Sequence, residues 1–257
     1  MDRVTALAQA PDTPVFSWAS APSMPAIDDD VHVWRVSLVQ PDATVAAFAR
    51  VLSVDETQRA QRFVFKRDSD RFMVARGVLR RILAYYLARA PHQLEFSYEK
   101  HGKPYLRDAD GLCFNVSHSN GFAVFAFAKH RQLGVDVEYM RRDIDVTGIA
   151  SRFFSPAEVE ALMALPPQVQ VEAFFNCWSR KEAYIKARGE GIFFGLDNFD
   201  VSLAPGMAAA LLRVNGMPDE VSRWSFQTLA VHPDYAAAVL AEGKNWRLRC
   251  WEYADAD

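Results

Sequence analysis

Residues 174–191 read FFNCWSRKEAYIKARGEG, and this stretch predicts a helix around which the rest of the chain is organised. Pro166 and Pro167 precede it, and proline is excluded from a helix interior, so the helix cannot extend far beyond them. Gly189 and Gly191 supply a stop, because glycine readily adopts the left-handed conformation that ends many helices.

The predicted helix carries an apolar stripe with a carboxylate beside it. Phe174, Trp178 and Ile185 recur at helical spacing. Glu182 projects alongside this stripe, and Lys186 lies one turn later, where the two side chains can meet. One interpretation is an ordinary Glu–Lys pair on the surface. The other is a carboxylate held at the edge of a core and directed at a cation, with a lysine beside it.

Composition predicts a globular protein without nucleic-acid or membrane partners. Half of the 257 residues are hydrophobic, 24% are charged and the net charge is −3. No apolar run is long enough to span a membrane, and no secretory signal is evident at the start. Three widely spaced cysteines, Cys113, Cys177 and Cys250, fit neither a disulfide framework nor a zinc site. They indicate buried thiols in a reducing, cytoplasmic compartment.

The order of predicted elements is typical of the α+β class. Val31–Val36 alternates as a strand, Ser53 and Glu56 form a capping box before a short helix, and a longer helix runs from about Asp68 to Arg89. Further strands are predicted at Leu94–Tyr98, Phe122–Ala128, Gly134–Glu138, Phe199–Leu203, Ala209–Val214, Trp224–Ala230, Tyr235–Ala241 and Trp246–Tyr253. Phe122–Ala128 is apolar throughout, so we expect it to be central.

This order divides the chain into a loose N-terminal tail, residues 1–29, and two α+β halves, residues 30–130 and 131–257. No convincing sequence repeat relates the halves. The arginines of the long helix are expected to be mostly solvated, as long basic side chains usually are. They are Arg71, Arg76, Arg80 and Arg81.

Asp136 and Glu138 are two residues apart in a predicted strand, so their side chains share one face while Val135 and Val137 enter the core. One interpretation is an edge strand with a solvated acidic face. The other is a cation site, because adjacent carboxylates repel unless a cation or proton separates them. Oxygen ligands without nearby His or Cys favour Mg²⁺, and Glu182 is the candidate third acid.

Ser117 and His118 end a predicted strand before the turn signal Asn120-Gly121. Adjacent strand residues point to opposite faces, so His118 is badly placed to activate Ser117 as a nucleophile. The pair suits phosphate oxygens better, although it could serve only the turn. Lys103 lies in the turn Gly102-Lys103-Pro104, where a lysine suits an anion or is simply exposed.

Together these residues resemble the 4′-phosphopantetheinyl transferase superfamily, in its Sfp-type branch. The blocks that carry the resemblance are Gly102–Pro104 (GKP), Phe114–Ser119 (FNVSHS), Gly134–Glu138 (GVDVE) and Trp178–Lys186 (WSRKEAYIK). Each block is weak alone, but four in order are specific, and they span roughly residues 50 to 200.

The resemblance implies transfer of the phosphopantetheine arm of coenzyme A to a serine of an apo carrier protein, with release of 3′,5′-ADP and dependence on Mg²⁺. It implies a pseudo-dimer of two similar α+β halves with the active site in the cleft between them, and a monomer in solution. An Mg²⁺-dependent phosphohydrolase and an inactive coenzyme A or carrier-binding module are the alternative hypotheses.

The resemblance also implies roles for individual residues. The metal ligands would be Asp136, Glu138 and Glu182. Coenzyme A would contact the following residues: Arg71, Lys103, Pro104, Ser117, His118 and Lys186. The proton of the carrier serine would pass to Glu182 or Lys186, and the sequence does not choose between them.

The sequence departs from the pattern ahead of Phe63, where Glu56 and Arg59 stand at positions that are lysine in the type member of this branch. Glu158 matches an acid considered for catalysis in the family. Its capping-box spacing from Ser155 explains it as a helix cap, whose loss should cost on the order of a kcal/mol or less.

Overall fold

The computed structural model describes residues 18–20, 26–189 and 194–254, and its order of elements confirms the predicted α+β class. The strands are β1 (Ala19–Ser20), β2 (Val31–Ser37), β3 (Phe96–Tyr98), β4 (Pro104–Leu106), β5 (Leu112–Ser119), β6 (Phe122–Lys129), β7 (Leu133–Tyr139), β8 (Phe199–Val201), β9 (Leu211–Val214), β10 (Trp224–Thr228), β11 (Tyr235–Glu242) and β12 (Leu248–Glu252). The helices are α1 (Asp42–Ala49), α2 (Val54–Gln61), α3 (Lys66–Leu87), α4 (Val146–Phe153), α5 (Pro156–Met163), α6 (Pro167–Arg188) and α7 (Glu220–Arg223).

The first sheet has the strand order β1-β12-β2-β6-β5. β12 runs parallel to both β1 and β2, whereas β6 is antiparallel to β2 and to β5. The predicted central position of β6 is confirmed, because both of its faces are covered. Phe125 and Phe127 pack beneath α3, while Val124 and Ala126 enter the core shared with the second sheet.

The second sheet has the order β10-β11-β7 and is antiparallel throughout. Helix α6 packs across β7 and β11. Gly134 makes this close approach possible, because a Cβ atom there would collide with the Ala183 carbonyl oxygen and the Ala187 nitrogen of α6. The glycine therefore sets how near the side chains of α6 come to those of β7.

The order of elements in residues 30–130 recurs in residues 131–257. Each part starts with a seven-residue strand, β2 or β7, and continues through two shorter helices to a 22-residue helix, α3 or α6. A short hairpin follows, β3–β4 or β8–β9, and then a longer antiparallel pair. The last strand of that pair returns to the first strand, so β6 pairs with β2 and β11 with β7.

The ends of the two long helices agree closely with the predictions. Helix α6 ends at Arg188, and Gly189 follows in the left-handed conformation with a φ of 71°. Gly191, the second predicted stop, lies outside the described residues. Helix α3 begins and ends two residues earlier than predicted, and Ala88 closes it with a φ of 50°.

Part of the segment predicted as a loose tail belongs to the first sheet. Ala19–Ser20 pairs with β12, and the indole N–H of Trp18 donates to the Ala230 carbonyl at 2.5 Å. Residues 1–17 and 21–25 lie outside the described residues. Within the described ranges, no helix is both long enough and apolar enough to cross a membrane.

The predicted buried thiols are confirmed for two of the three cysteines. Cys177 and Cys250 are buried, Cys113 is half-buried, and all three are free. Burial raises the pKa of the Cys250 thiol to about 12, so it stays neutral at physiological pH.

Glu158 closes a buried network that holds α5, α6 and β8 together. It accepts hydrogen bonds from the Ser155 N–H at 3.0 Å and the Val201 N–H at 2.8 Å, so the predicted capping interaction is formed. The Lys181 ammonium of α6 lies 2.7 Å from the same carboxylate, and the two residues are only 0% and 3% exposed. Glu158 therefore neutralises a buried lysine as well as capping a helix.

We predict that Glu158→Gln lowers the free energy of unfolding by about 3 kcal/mol, because it leaves the Lys181 charge buried without its partner. This exceeds the cost of a lost cap. Denaturant unfolding measures the difference. Glu160→Gln, on an exposed position of the same helix, is the matched control and should stay within about 0.5 kcal/mol of the parent chain. A Glu158→Gln variant as stable as this control would contradict the role of the ion pair.

Candidate active site

Strand β7 directs its two acids away from the shared core, as predicted. Val135 and Val137 are fully buried in that core, and Asp136 and Glu138 alternate with them. Asp136 is only 2% exposed, however, so the alternative of a solvated acidic face is wrong for this residue. Its carboxylate lies in the layer between β7 and α6.

Lys186 reaches across from α6 to this buried acid. Its ammonium donates to Asp136 Oδ1 at 2.6 Å and to the Ser117 hydroxyl at 2.9 Å. The Ser117 hydroxyl in turn donates to Asp136 Oδ1 at 2.8 Å. Of the two sequence interpretations, the surface pair of Lys186 with Glu182 is therefore wrong, because the close packing of α6 on β7 offers the lysine a buried partner.

Ser117 is not placed as a residue that only binds phosphate would be. It is buried, and its hydroxyl links a lysine of α6 to a carboxylate of β7. His118 points to the opposite side of β5, where it lines a cavity, as the alternation of strand residues predicts. The two neighbours thus serve two different surfaces, and His118 makes no activating contact with Ser117 among the described hydrogen bonds.

The other two carboxylates, Glu138 and Glu182, have raised pKa values, mainly because burial disfavours their charged forms. Burial raises the pKa of Glu138 to about 7, and repulsion from Asp136 adds to the effect. Burial and then Asp136 also raise the pKa of Glu182, which Lys186 opposes from nearby. Asp136 Oδ2 is buried and has no hydrogen-bond partner. A cation would lower both pKa values and would give Asp136 Oδ2 a partner.

The acids are not assembled as a finished metal site. In the parts of the chain that are described, no group of three or more His, Cys, Asp or Glu side chains lies close enough to hold an ion. The donor set nevertheless suits Mg²⁺, which prefers oxygen ligands and keeps part of its water shell. The unpartnered oxygen of Asp136 is a free ligand position of this kind.

Two polar residues of β5 were missed in the sequence although they face the acids. Ser119 donates to Glu138 Oε2 at 3.0 Å, and Asn115 accepts the Val135 N–H at 2.9 Å. The alternation of Asn115, Ser117 and Ser119 is a signal that could have identified them, because residues two apart share one face of a strand.

A cavity of about 740 Å³ opens beside the acids, between α2, α3 and the end of β5. Arg71, Pro104 and His118, all expected at coenzyme A, line it, and so does Ser119. Lys103 differs from expectation, because its ammonium turns toward the Ala187 carbonyl at the end of α6, at 3.3 Å. Burial lowers the pKa of this lysine.

Glu56 forms the predicted cap, accepting from the Ser53 N–H at 3.0 Å, and has a second structural role that the sequence did not reveal. It is buried and accepts hydrogen bonds from Arg76 Nε at 2.5 Å and from Arg80 Nε at 2.6 Å. The expectation that the arginines of α3 are mostly solvated is wrong, because Arg80 is 2% exposed and the other three are half-buried. Burial alone would raise the pKa of Glu56, but the bonds from these arginines lower it, so the residue is an anion that joins α2 to α3.

The geometry agrees with what comparison with known proteins finds. The family model of the 4′-phosphopantetheinyl transferase superfamily matches residues 132–240, and that of the N-terminal part of a 4′-phosphopantetheinyl transferase matches residues 39–130. The two matches meet between β6 and β7 and together cover most of the chain.

Curated relatives extend the similarity over nearly the whole length. The 4′-phosphopantetheinyl transferase HetI of Nostoc sp. is 40% identical over 235 residues, which are 90% of this chain and 96% of the relative. The 4′-phosphopantetheinyl transferase Sfp of Bacillus subtilis is 30% identical over 194 residues, which are 76% of this chain and 84% of the relative. On these grounds the chain belongs to the 4′-phosphopantetheinyl transferase family.

Proposed function

We propose that this transferase moves the 4′-phosphopantetheine moiety of coenzyme A to a serine of an apo carrier protein in an Mg²⁺-dependent reaction, releasing 3′,5′-ADP. The observation that carries the proposal is the hydrogen-bonded Asp136–Ser117–Lys186 group beside a cavity whose lining includes Arg59, Arg71 and Arg76. A diphosphate needs both the residue group and the cavity, because its negative charge must be balanced where the bond breaks.

The proposal includes a pseudo-dimer with its active site between two halves, residues 30–130 and 131–257, behind an N-terminal tail. The recurring order of elements supports it, since each half has a 22-residue helix packed on its own sheet. The candidate acids lie on β7 and α6, in the second half, while the cavity is formed by the first. A monomer is the expected state, because one chain supplies both halves.

Coenzyme A would occupy the cavity with its phosphates toward the acids. Arg71 and His118 line the cavity and provide positive or hydrogen-bonding groups for phosphate oxygens, and Pro104 forms part of its wall. The Nε atom of Arg71 is buried and has no hydrogen-bond partner, which leaves it available to an anion. Three further contacts are expected to reach the ligand from the side of β5 and α6. They are Lys103, Ser117 and Lys186.

Asp136, Glu138 and Glu182 would hold the Mg²⁺ ion. When bound, the ion would offset the charge of the diphosphate as the leaving phosphate separates. Asp136 is kept in place by Lys186 and Ser117, so its second oxygen, Oδ2, is the one left for a ligand. The raised pKa values of Glu138 and Glu182 fit two carboxylates that lack this counter-charge.

The carrier supplies the attacking hydroxyl, so the enzyme needs a proton acceptor rather than a nucleophile. Glu182 and Lys186 are the two candidates, and the geometry favours Glu182. Lys186 donates to a carboxylate and a hydroxyl, which keeps its proton in place. The carboxylate of Glu182 can accept a proton without first losing one.

The first prediction of this proposal is that Glu182→Gln lowers transfer at least about 100-fold without unfolding the protein, because the charge of a ligand and base is lost. The assay incubates the protein with coenzyme A, Mg²⁺ and an apo carrier and weighs the carrier by mass spectrometry. Glu172→Gln, on an exposed position of the same helix, is the matched control and should transfer normally.

Other outcomes of the same assay separate the alternative functions. Near-normal transfer by Glu182→Gln would contradict the assignment of this residue. Coenzyme A hydrolysis by the parent chain without a carrier would favour a phosphohydrolase. Coenzyme A binding without transfer to any of several carriers would favour a binding module.

The second prediction concerns pH in the absence of metal. Between the unfolded pKa of Glu138, 4.5, and its folded value of about 7, the native state binds more protons than the unfolded state. The free energy of unfolding therefore falls as the pH rises through this range, by at most about 2–3 kcal/mol from this residue. Denaturant unfolding in EDTA at pH 5 and pH 8 measures the change.

Glu138→Gln isolates this contribution, because the other titrating groups are common to both proteins. The variant should lose less stability than the parent chain between pH 5 and pH 8. Added Mg²⁺ should stabilise the parent more at pH 8, where Glu138 is ionised, than at pH 5. Equal pH profiles for the two proteins would contradict the raised pKa, and no stabilisation by Mg²⁺ at pH 8 would contradict a ligand role.

A further inference from the structure

The edges of the two sheets are joined by side chains of β5. Within the described sheets, β5 ends the first and β7 ends the second, and no backbone ladder links them. Asn115, Ser117 and Ser119 alternate along β5 and all face β7. Asn115 accepts a backbone N–H of β7, Ser117 donates to Asp136, and Ser119 donates to Glu138. Each acid of β7 therefore has its own hydroxyl donor on β5.

The two hydroxyls differ in what else they contact. The Ser117 hydroxyl also accepts from Lys186, so it belongs to a group of charged residues that is already balanced. The Ser119 hydroxyl accepts from the Tyr139 N–H at 3.1 Å while it donates to Glu138 Oε2 at 3.0 Å. It thereby ties the Glu138 side chain to the backbone of its own strand.

Ser119 is also placed where this restraint matters. It lines the cavity, so its hydroxyl lies at the boundary between the acids and the space for a ligand. Glu138 is half-buried close to Asp136, and without a hydrogen bond its carboxylate would be free to rotate away from the repulsion. Side chains that orient a metal-binding carboxylate in this way typically matter about 10–100-fold for metal affinity or activity.

We propose that Ser119 is a positioning residue that holds the Glu138 carboxylate toward Asp136 and the cavity in readiness for a divalent cation. The assignment rests on the proposed function, since it concerns the same cation site. Ser119 itself need not touch the metal or the substrate. Its effect is carried by Glu138, and it requires a hydroxyl group at this position of β5.

The experiment compares Ser119→Ala, which removes the hydroxyl, with Ser119→Thr, which keeps it. Carrier modification is measured over a range of Mg²⁺ concentrations. For Ser119→Ala we expect the Mg²⁺ concentration that gives half-maximal transfer to rise about tenfold, with little change in kcat at saturating Mg²⁺. Ser119→Thr should restore the parent value. Ser222→Ala, an exposed serine on α7, is the control and should change neither quantity.

A binding measurement provides a readout that is independent of turnover. Calorimetric titration with coenzyme A, without a carrier, is carried out once with Mg²⁺ and once with EDTA. Ser119→Ala should weaken coenzyme A binding with Mg²⁺ and leave it unchanged in EDTA. Equal weakening under both conditions would indicate a direct ligand contact or a damaged fold and would overturn the proposal.

The parent chain distinguishes failure of this inference from failure of the proposed function. If the parent transfers phosphopantetheine with Mg²⁺ dependence and Ser119→Ala has the same Mg²⁺ requirement, only the role of Ser119 is overturned. If the parent shows no Mg²⁺ dependence in either measurement, the cation site and the role of Ser119 both fail.

Discussion

The close packing of α6 against β7 is the constraint on which the candidate site depends. It is possible because position 134 is glycine, since any larger residue would collide with the backbone of α6 at Ala183 and Ala187. At this separation Lys186 reaches Asp136, and Glu182 is near enough for Asp136 to raise its pKa. A wider spacing would let water between them, and the interactions of these charges would weaken accordingly.

The position of α6 is fixed from its other side by buried charges. Lys181 pairs with Glu158 of α5 and donates to the Leu196 and Phe199 carbonyls at 2.6 Å, while Glu182, the next residue, contributes to the candidate site. Lys181 and Glu182 are thus consecutive in α6 but point in different directions, the first toward a structural ion pair and the second toward the candidate site. Glu56 has the corresponding structural role beneath α3, where it pairs with two arginines.

The sequence was sufficient to predict those features that a single helix or strand determines. The alternation around Asp136 predicted which side chains share a face, and the apolar run of β6 predicted its central place. The sequence was insufficient where two elements compete for one side chain. Lys186 has a helical neighbour in Glu182 and a partner across the interface in Asp136, and only the packing decides between them. The burial of Arg80 and the direction of Lys103 were unpredictable for the same reason.

The last strand of the chain joins its C-terminal end to the first sheet. β12 comes after all strands of the second sheet in sequence but lies inside the first sheet, between β1 and β2. A fragment cut between β6 and β7 would therefore lack a strand of its own sheet and expose the edge of β2, and an exposed edge invites aggregation. If the chain arose by joining two copies of a smaller unit, this arrangement would make the fusion difficult to reverse, because residues 30–130 alone would lack a strand of the first sheet.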